Sequence, residues 1–334
     1  MEYAKLGHTD LTVSRICLGC MGFGDAKSGQ HAWTLPYEES ARIIEHALEK
    51  GVNFFDTAMS YQGGTSEEYV GRALRSCVRR EDIVVATKFT LSDQSEKDRT
   101  KESVSQKVGR LLDASLSRLG MDYVDLYIYH MWDWDTPIEE LLEALDAQVR
   151  LGKVRAIGVS NCFAWQLAEA NQIARDRGLT QFASYQGHYN AIAREDEREM
   201  VPYARLHDIA LTPYSALAAG RLSRKPGAQS ERLKLDAYAR GKYEATQDLD
   251  APIIHAIARI AEERGVGMTE ISLAWLQTKA CAPVVGATKA RHIDGAVAAC
   301  DIRLTADELA MIEDPYVPHE LVGVLAQNMP NDLR

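Results

Sequence analysis

Residues Asp122–Ser160 read DYVDLYIYHMWDWDTPIEELLEALDAQVRLGKVRAIGVS, and they contain one complete strand–helix–strand unit. Tyr123–Tyr129 is a short run of aromatic and branched apolar residues, the composition of a buried strand. Thr136-Pro137-Ile138-Glu139 combines a capping box with proline at the first helical position, which predicts a helix start. Ile138, Leu141, Leu142, Leu145 and Val149 then form one apolar stripe at helical spacing. Gly152 ends the helix, and Val154–Val159 is a second short apolar strand.

The same unit recurs along the chain in both directions. Upstream, Arg15–Gly19, Val52–Asp56 and Asp82–Thr87 read as strands, with helices over Tyr37–Lys50 and Ser66–Arg75. Thr100–Leu119 places Val104, Val108, Leu111, Leu112, Ser115 and Leu119 at helical spacing. Downstream, Phe182–Gln186, Ile209–Tyr214 and Pro283–Gly286 read as strands. Ala164–Arg177, Glu195–His207, Pro252–Arg264 and Thr269–Lys279 read as helices, and Thr305-x-x-Glu308 caps one more. Eight strands alternating with helices suit an open doubly wound sheet or a closed barrel. The first strand is followed by Gly19-x-x-Gly22-x-Gly24, the wrong order for the dinucleotide fingerprint of an open sheet, and no P-loop motif exists. Eight β/α units in about 300 residues predict an α/β protein with a (β/α)8 (TIM) barrel, one domain over 1–334. Only Arg221–Asp250 interrupts the alternation; polar and carrying Arg221, Arg224 and Lys225, it reads as a lid or a mobile segment.

Composition narrows the function classes. Lys and Arg number 38 against 48 Asp and Glu, a net charge of −10, which repels phosphate backbones and argues against a nucleic-acid partner. No apolar run is long enough to span a bilayer, so no membrane partner is expected. The opening MEYAKLGHTD lacks the apolar stretch of a secretory signal, and six scattered cysteines suit a reducing compartment; a cytoplasmic location is expected. Cys17 and Cys20 have the C-x-x-C spacing, but Met21-Gly22-Phe23-Gly24 follows rather than a helix, and no second pair completes a zinc site. Structural thiols are expected.

In such a barrel, reactive groups stand at the C-terminal strand ends. The second strand ends at Asp56, with Tyr61 in its loop; the third ends at Thr87-Lys88 and the fourth at Tyr129-His130. Each residue alone has an ordinary explanation, as a cap, a packed ring, a solvated amine or a polar plug. The group has a chemical logic. A phenol with a reference pKa of about 10 is a poor proton donor unless a cation favours the phenolate. Lys88 is positioned to be that cation, Asp56 to hold it charged, and His130 to donate to a carbonyl oxygen. The reaction this suits is proton delivery to an oxygen while hydride reaches its carbon.

Seven stretches in order carry a family resemblance: FFDTAMSYQGG (Phe54–Gly64), VVATKF (Val84–Phe89), DYVDLYIYH (Asp122–His130), IGVSN (Ile157–Asn161), Gln186 with Tyr189-Asn190, TPYSALAAGRL (Thr212–Leu222) and VVGATK (Val284–Lys289). With these the chain resembles the aldo-keto reductases along nearly its whole length. The opening YAKLGHTDLTVSRICLG is similar to the family's N-terminal hairpin, and extra helices are implied at the C-terminus. The resemblance implies Tyr61 as general acid, Lys88 and Asp56 as its partners, and His130 as the residue orienting the carbonyl. It implies Ser160, Asn161 and Gln186 on a nicotinamide carboxamide and Tyr214 stacked on the ring, although Ser160-Asn161 could instead cap a helix beginning near Phe163. Ser215, Leu217, Gly220 and Leu222 would follow the pyrophosphate. Gly286, Thr288, Lys289, Arg291 and His292 would hold the adenosine phosphate, a basic cluster that favours NADPH (NADP+) over NADH, unless these are ordinary solvated charges. Gly295-Ala296 departs from the Glu-Asn frequent in the family, which weakens the expected grip on adenine.

For substrate, Trp33 and Trp132 are the foremost candidates, with Trp134, Trp165, Met59 and Phe89 also near the mouth, unless the tryptophans pack the loops together. Asp133 and Asp135 would disfavour anions there. Asp314–Arg334 occupies the region that often closes the family's site. The expected function is NADPH-dependent reduction of small aldehydes or ketones. The chain also resembles potassium-channel β subunits, so an NADPH-binding regulatory subunit is the alternative. Metal-dependent hydrolysis would need clustered ligands, whereas nine histidines are dispersed and only His130 and His188 lie near strand ends, so no metal is expected. Nothing in the sequence sets the oligomeric state.

Overall fold

The structure is a computed structural model that describes residues 1–29, 31–92, 102–226 and 237–330. Eight strands run parallel: β3 (Cys17–Gly19), β4 (Phe54–Asp56), β5 (Val84–Phe89), β6 (Val124–Tyr129), β7 (Val154–Ser160), β8 (Phe182–Gln186), β9 (Ala210–Leu211) and β10 (Val284–Gly286). Their order is β10-β3-β4-β5-β6-β7-β8-β9. The two ends are joined by backbone bonds: Cys281 and Ala282 N–H donate to the Leu211 carbonyl, and Val284 N–H to Pro213. This is the (β/α)8 barrel the alternation predicts.

Packing follows from alternation along the strands. Inward residues Cys17, Phe54, Ala86, Leu126, Ile128 and Ala156 fill the barrel, while Leu18, Phe55, Val85, Tyr127 and Ile157 point outward onto the helices. The predicted N-terminal hairpin is present as β1 (Tyr3–Lys5) paired with β2 (Thr12–Ser14). Its Leu6, Leu11 and Val13 join the interior cluster, so the hairpin plugs the barrel at the end opposite the strand C-termini. Around the barrel lie α1 (Tyr37–Glu49), α2 (Thr65–Cys77), α3 (Val104–Leu119), α4 (Ile138–Arg150), α5 (Ala164–Arg177), α6 (Met200–Leu206), α7 (Ala237–Tyr243), α8 (Gln247–Arg264), α9 (Met268–Gln277) and α10 (Ala290–Ala298). Two further C-terminal helices follow, α11 (Ala306–Glu313), capped as expected by Thr305, and α12 (Val324–Gln327). Among the described residues, no helix is long and apolar enough to cross a membrane.

Four local expectations are corrected. The Thr136 capping box does not form: its hydroxyl donates to Asp133 Oδ2, and Pro137 stands at the helix N-cap. The helix expected over Glu195–His207 splits into a 3-10 turn at Glu195–Glu197 and α6, because Pro202 has no N–H and is tolerated only in a first turn. Strand β9 is two residues long rather than Ile209–Tyr214, and α8 begins at Gln247 with Pro252 inside it. Of the interrupting stretch Arg221–Asp250, residues 227–236 lie outside the described residues, as do residues 100 and 101 of the Thr100–Leu119 helix; α7 and the start of α8 make up its end.

The hairpin turn tests the plug. Gly7 has φ +56°, and a Cβ there would stand 2.5 Å from the Ala183 carbonyl oxygen and 2.6 Å from that of Asp208. Gly7→Val is expected to lower unfolding free energy by about 1–3 kcal/mol, read from denaturant midpoints. Turnover per folded molecule should be unchanged, because the opposite end of the barrel carries the site described next.

Candidate active site

The C-terminal strand ends gather one polar cluster. Asp56 closes β4, Lys88 lies in β5, and both are buried. The Lys88 ammonium has three N–H donors and three acceptors: Asp56 Oδ1 at 2.5 Å, the Thr57 carbonyl at 2.9 Å and Tyr61 Oη at 3.0 Å. Because Lys88 donates to Oη, the phenolic proton points elsewhere. His130, just after β6, faces the phenol edge-on with ring centroids 6.0 Å apart. The second Asp56 oxygen accepts from Gln186 Nε2 at 3.0 Å, tying β4 to β8 across the barrel mouth.

Electrostatics set the protonation states. Burial alone would depress the Lys88 ammonium, yet the Asp56 carboxylate and the Tyr61 oxygen hold it above the ordinary lysine value. Tyr61 is shifted upward: burial outweighs the opposing pull of Lys88. The sequence reading anticipated a phenol made more acidic by Lys88; in this state the lysine only limits the rise that burial imposes. Burial, and then Lys88, push His130 down to about 3, so the imidazole is neutral. Its Nδ1 is buried without a partner, a position that suits a lone pair better than an N–H and leaves the proton on Nε2.

The residues expected to hold a nicotinamide also converge. Asn161, left-handed at φ +52°, donates from Nδ2 to the His130 carbonyl and to Ser160 Oγ, and its Oδ1 accepts from Tyr214 Oη at 2.9 Å. Ser160 Oγ donates to the Gln186 carbonyl. Neither residue caps a helix: Phe163 stands at the N-cap of α5, its N–H donating to Gln166 Oε1. Asn161 and Ser160 thus have most of their hydrogen-bonding capacity committed. Gln186 has a single side-chain bond, to Asp56, which leaves one amide N–H and Oε1 for a ligand.

Beyond β9 the backbone is left-handed at Ser215, Ala218, Ala219 and Gly220, with Leu217 between, and Leu222 is buried. Within this stretch the Ala218 N–H donates to the Ser215 carbonyl and the Gly220 and Leu222 N–H groups to that of Leu217, so the loop is folded into tight turns. Gly286 ends β10, and no atom lies within 4 Å of a Cβ built there. Lys289 is the N-cap of α10, with Arg291 exposed in its first turn, while His292 Nδ1 accepts the Thr288 N–H.

Other expected positions fall differently. Trp132 is buried against Tyr129, centroids 6.1 Å apart, and its carbonyl accepts from Asn328 of the C-terminal segment. Phe89 is fully buried, stacked 4.4 Å from Tyr127, and so packs the barrel wall rather than the mouth. Trp33 lies over Gly22 and close to Thr288, on the side of the β10 loop. Trp134 and Trp165 pair at 6.3 Å. Asp133 turns both carboxylate oxygens onto its own loop, receiving Asp135 N–H and the Thr136 hydroxyl. Cys17 and Cys20 are buried free thiols, each raised chiefly by burial.

Two residues stand at the site without a role assigned to them by the sequence reading. Gln62, beside Tyr61, is buried at φ +49°; its Nε2 donates to the carbonyls of Asp25 and His31, and its Oε1 accepts the His31 N–H. This amide fastens the β3–α1 loop to the turn carrying the phenol, and only its place next to Tyr61 hints at that. Arg221 keeps a buried Nη1 without a partner, its guanidinium 4.9 Å over the Tyr243 ring.

A barrel with these groups at its strand ends is the architecture of a carbonyl-reducing oxidoreductase, and known proteins agree. The Aldo/keto reductase family model matches residues 15–316, so the chain belongs to that family. Versiconal hemiacetal acetate reductase of Aspergillus parasiticus is 38% identical, over 95% of this chain and 98% of the relative. Norsolorinic acid reductase B of Dothistroma septosporum is 36% identical, over 95% of this chain and 82% of the relative. A thermostable aldo-keto reductase solved with the inhibitor epalrestat superimposes with a TM-score of 0.74 at 27% identity, covering 94% of this chain and all of that one. The chain is an oxidoreductase of a family that generally uses nicotinamide cofactors and reduces carbonyl compounds.

The buried pair is open to a stability test. Asp56→Ala leaves the Lys88 ammonium buried without its carboxylate and should cost about 3–5 kcal/mol, most of it recovered by adding Lys88→Met. Because the folded lysine value is raised, the stability contributed by the charged lysine is fully present below the ordinary lysine value of about 10.4. It is lost only as pH rises through the folded value. Additive denaturation free energies in the double-mutant cycle would refute the coupling.

Proposed function

We propose that this protein reduces aldehydes or ketones with NADPH and that Tyr61 is the general acid. The observation that carries the reading is the Lys88 ammonium, shared among Asp56, Thr57 and Tyr61 at the ends of β4 and β5. The names of the two reductases of similar sequence support carbonyl reduction as the direction of the chemistry.

The residues present fit a dinucleotide. Gln186, with one donor and one acceptor uncommitted, suits a carboxamide, with Ser160 and Asn161 beside it and Tyr214 as the aromatic wall. The turns over Ser215–Gly220, with Leu217 among them and Leu222 just beyond, would line a pyrophosphate, and the unpartnered Arg221 Nη1 nearby suits an anion. Gly286, Thr288, Lys289, Arg291 and His292 suit the adenosine phosphate, their positive charge favouring NADPH over NADH.

A reduced nicotinamide bound there supplies hydride to the carbonyl carbon. Neutral His130 donates from Nε2 to the carbonyl oxygen and fixes its direction. Tyr61 transfers its proton to that oxygen as negative charge develops, and the alcohol is complete. Lys88 then stabilises the phenolate until solvent reprotonates it, with Asp56 holding the ammonium in place.

Tyr61→Phe should lower kcat for a small aromatic aldehyde by about 10²–10⁴ while NADPH affinity, read by fluorescence titration, changes little. Unchanged turnover would end the assignment. The upward shift of Tyr61 keeps the acid protonated through neutral pH, so the rate of reduction should be flat over roughly pH 6–9 and fall only as the phenol titrates. Lys289→Ala with Arg291→Ala should lose about tenfold or more in NADPH affinity and little in NADH affinity. Equal losses for both nucleotides would remove the 2′-phosphate role.

A further inference from the structure

Behind the phenol and the ammonium, on the outer face of the barrel wall, lies a second polar cluster that the proposed reaction does not use. Side chains alternate along β5, so Lys88 points into the mouth and Thr87 beside it points outward onto α2. The Thr87 hydroxyl donates to Glu67 Oε1 at 2.5 Å, and Glu67 Oε2 pairs with Arg118 Nε of α3 at 2.6 Å. The Glu67 side chain is wholly buried. One residue earlier, Ser66 Oγ donates to the Cys20 carbonyl just after β3, which leaves the Thr57 hydroxyl to donate to Ser66, 2.9 Å away. The first turn of α2 therefore grips both sides of the buried pair. Thr57 follows Asp56 and lends its carbonyl to Lys88, and Thr87 precedes Lys88 in β5.

The same helix carries the phenol. Tyr61 is joined to α2 by Gln62, Gly63 and Gly64, all left-handed, a tight turn that passes any shift of the helix on to the ring. Within the loop, the Met59 N–H donates to the Lys88 carbonyl. Helix α2 is itself fixed against α3: Gly71, one turn beyond Glu67, lies against the Leu119 carbonyl with no room for a Cβ, and Arg75 donates to that carbonyl. Stability alone does not ask for a carboxylate here, because an apolar pair of similar volume holds a helix to a barrel as well or better than a buried ion pair. What the carboxylate adds is direction, since a charge-assisted bond fixes the donor's position where apolar packing allows sliding.

We propose that Glu67 is a positioning residue of this reductase: by holding Thr87 from helix α2, it fixes the separation between Lys88 and the phenol that the same helix carries. This rests on the carbonyl-reductase reading, but one of its readouts needs no turnover. Thr87→Val keeps the shape of the side chain and the Glu67–Arg118 pair and removes only the bond between Thr87 and Glu67. With NADPH and a small aromatic aldehyde, kcat should fall about tenfold or more, while the aldehyde KM and the NADPH affinity stay near wild type. With Lys88 displaced from Oη, the phenol of the cofactor-free protein should ionise at higher pH, followed by NMR of ζ-carbon-labelled tyrosine and assigned by the signal lost in Tyr61→Phe. Thr87→Ser keeps the hydroxyl and should restore both properties. Glu67→Leu combined with Arg118→Leu should fold with a denaturation midpoint near wild type, yet show the same slow turnover and the same shifted titration. A wild-type kcat or an unmoved Tyr61 titration in Thr87→Val would overturn the proposal, as would a change confined to stability. Full turnover in Tyr61→Phe would remove the reductase reading alone, and the titration would still judge the positioning.

Discussion

An ammonium buried in a barrel wall organises this mouth. Taking Lys88 out of water costs several kcal/mol, which only a complete set of acceptors offsets. Two of these acceptors come from the end of β4 and one from the turn beyond it, so the β4–β5 register, Asp56 opposite Ala86, sets where the phenol stands. Asp56 passes the constraint on: its other oxygen takes the Gln186 amide from β8. Strands far apart in the ring are thereby tied at one carboxylate.

The barrel and this cluster were legible in the sequence for the same reason. A strand buried on both faces reads as a continuous apolar run, so an ionisable residue at or near its end stands out. Asp56, Lys88 and His130 are such residues. The N-terminal hairpin followed from the family resemblance. Boundaries set by tertiary contacts were not legible. The Thr136 hydroxyl goes to Asp133 instead of a helix cap; Pro202 moves the start of α6; β9 is shortened where Pro213 leaves the ladder and its carbonyl serves Val284 instead.

The substrate side was the least legible, because aromatic residues do not announce whether they pack or bind. Trp132 and Phe89 occur in stretches that end at the mouth, yet both are buried against tyrosines of the barrel wall. The cleft beside Asn161 and Tyr214, which His319 also lines, draws on residues remote in sequence. His319 is brought to it by bonds to Asp250 and Glu195, and no local pattern records a contact made across 69 or 124 residues.

The upward shift of Tyr61 is compatible with the acid role proposed for it. A general acid must first keep its proton, and burial secures that at neutral pH. The oxygen it serves becomes an alkoxide-like group as hydride arrives, far more basic than any phenolate, so the transfer does not need a strongly acidic phenol. What the reaction needs is that the phenolate left behind not stand uncompensated in a dry pocket. Lys88 supplies that compensation at 3.0 Å, already paired to Asp56 and so requiring no rearrangement. In the proposed reaction the lysine acts on the state after proton transfer more than on the resting phenol, which is why its effect on the resting value is outweighed by burial.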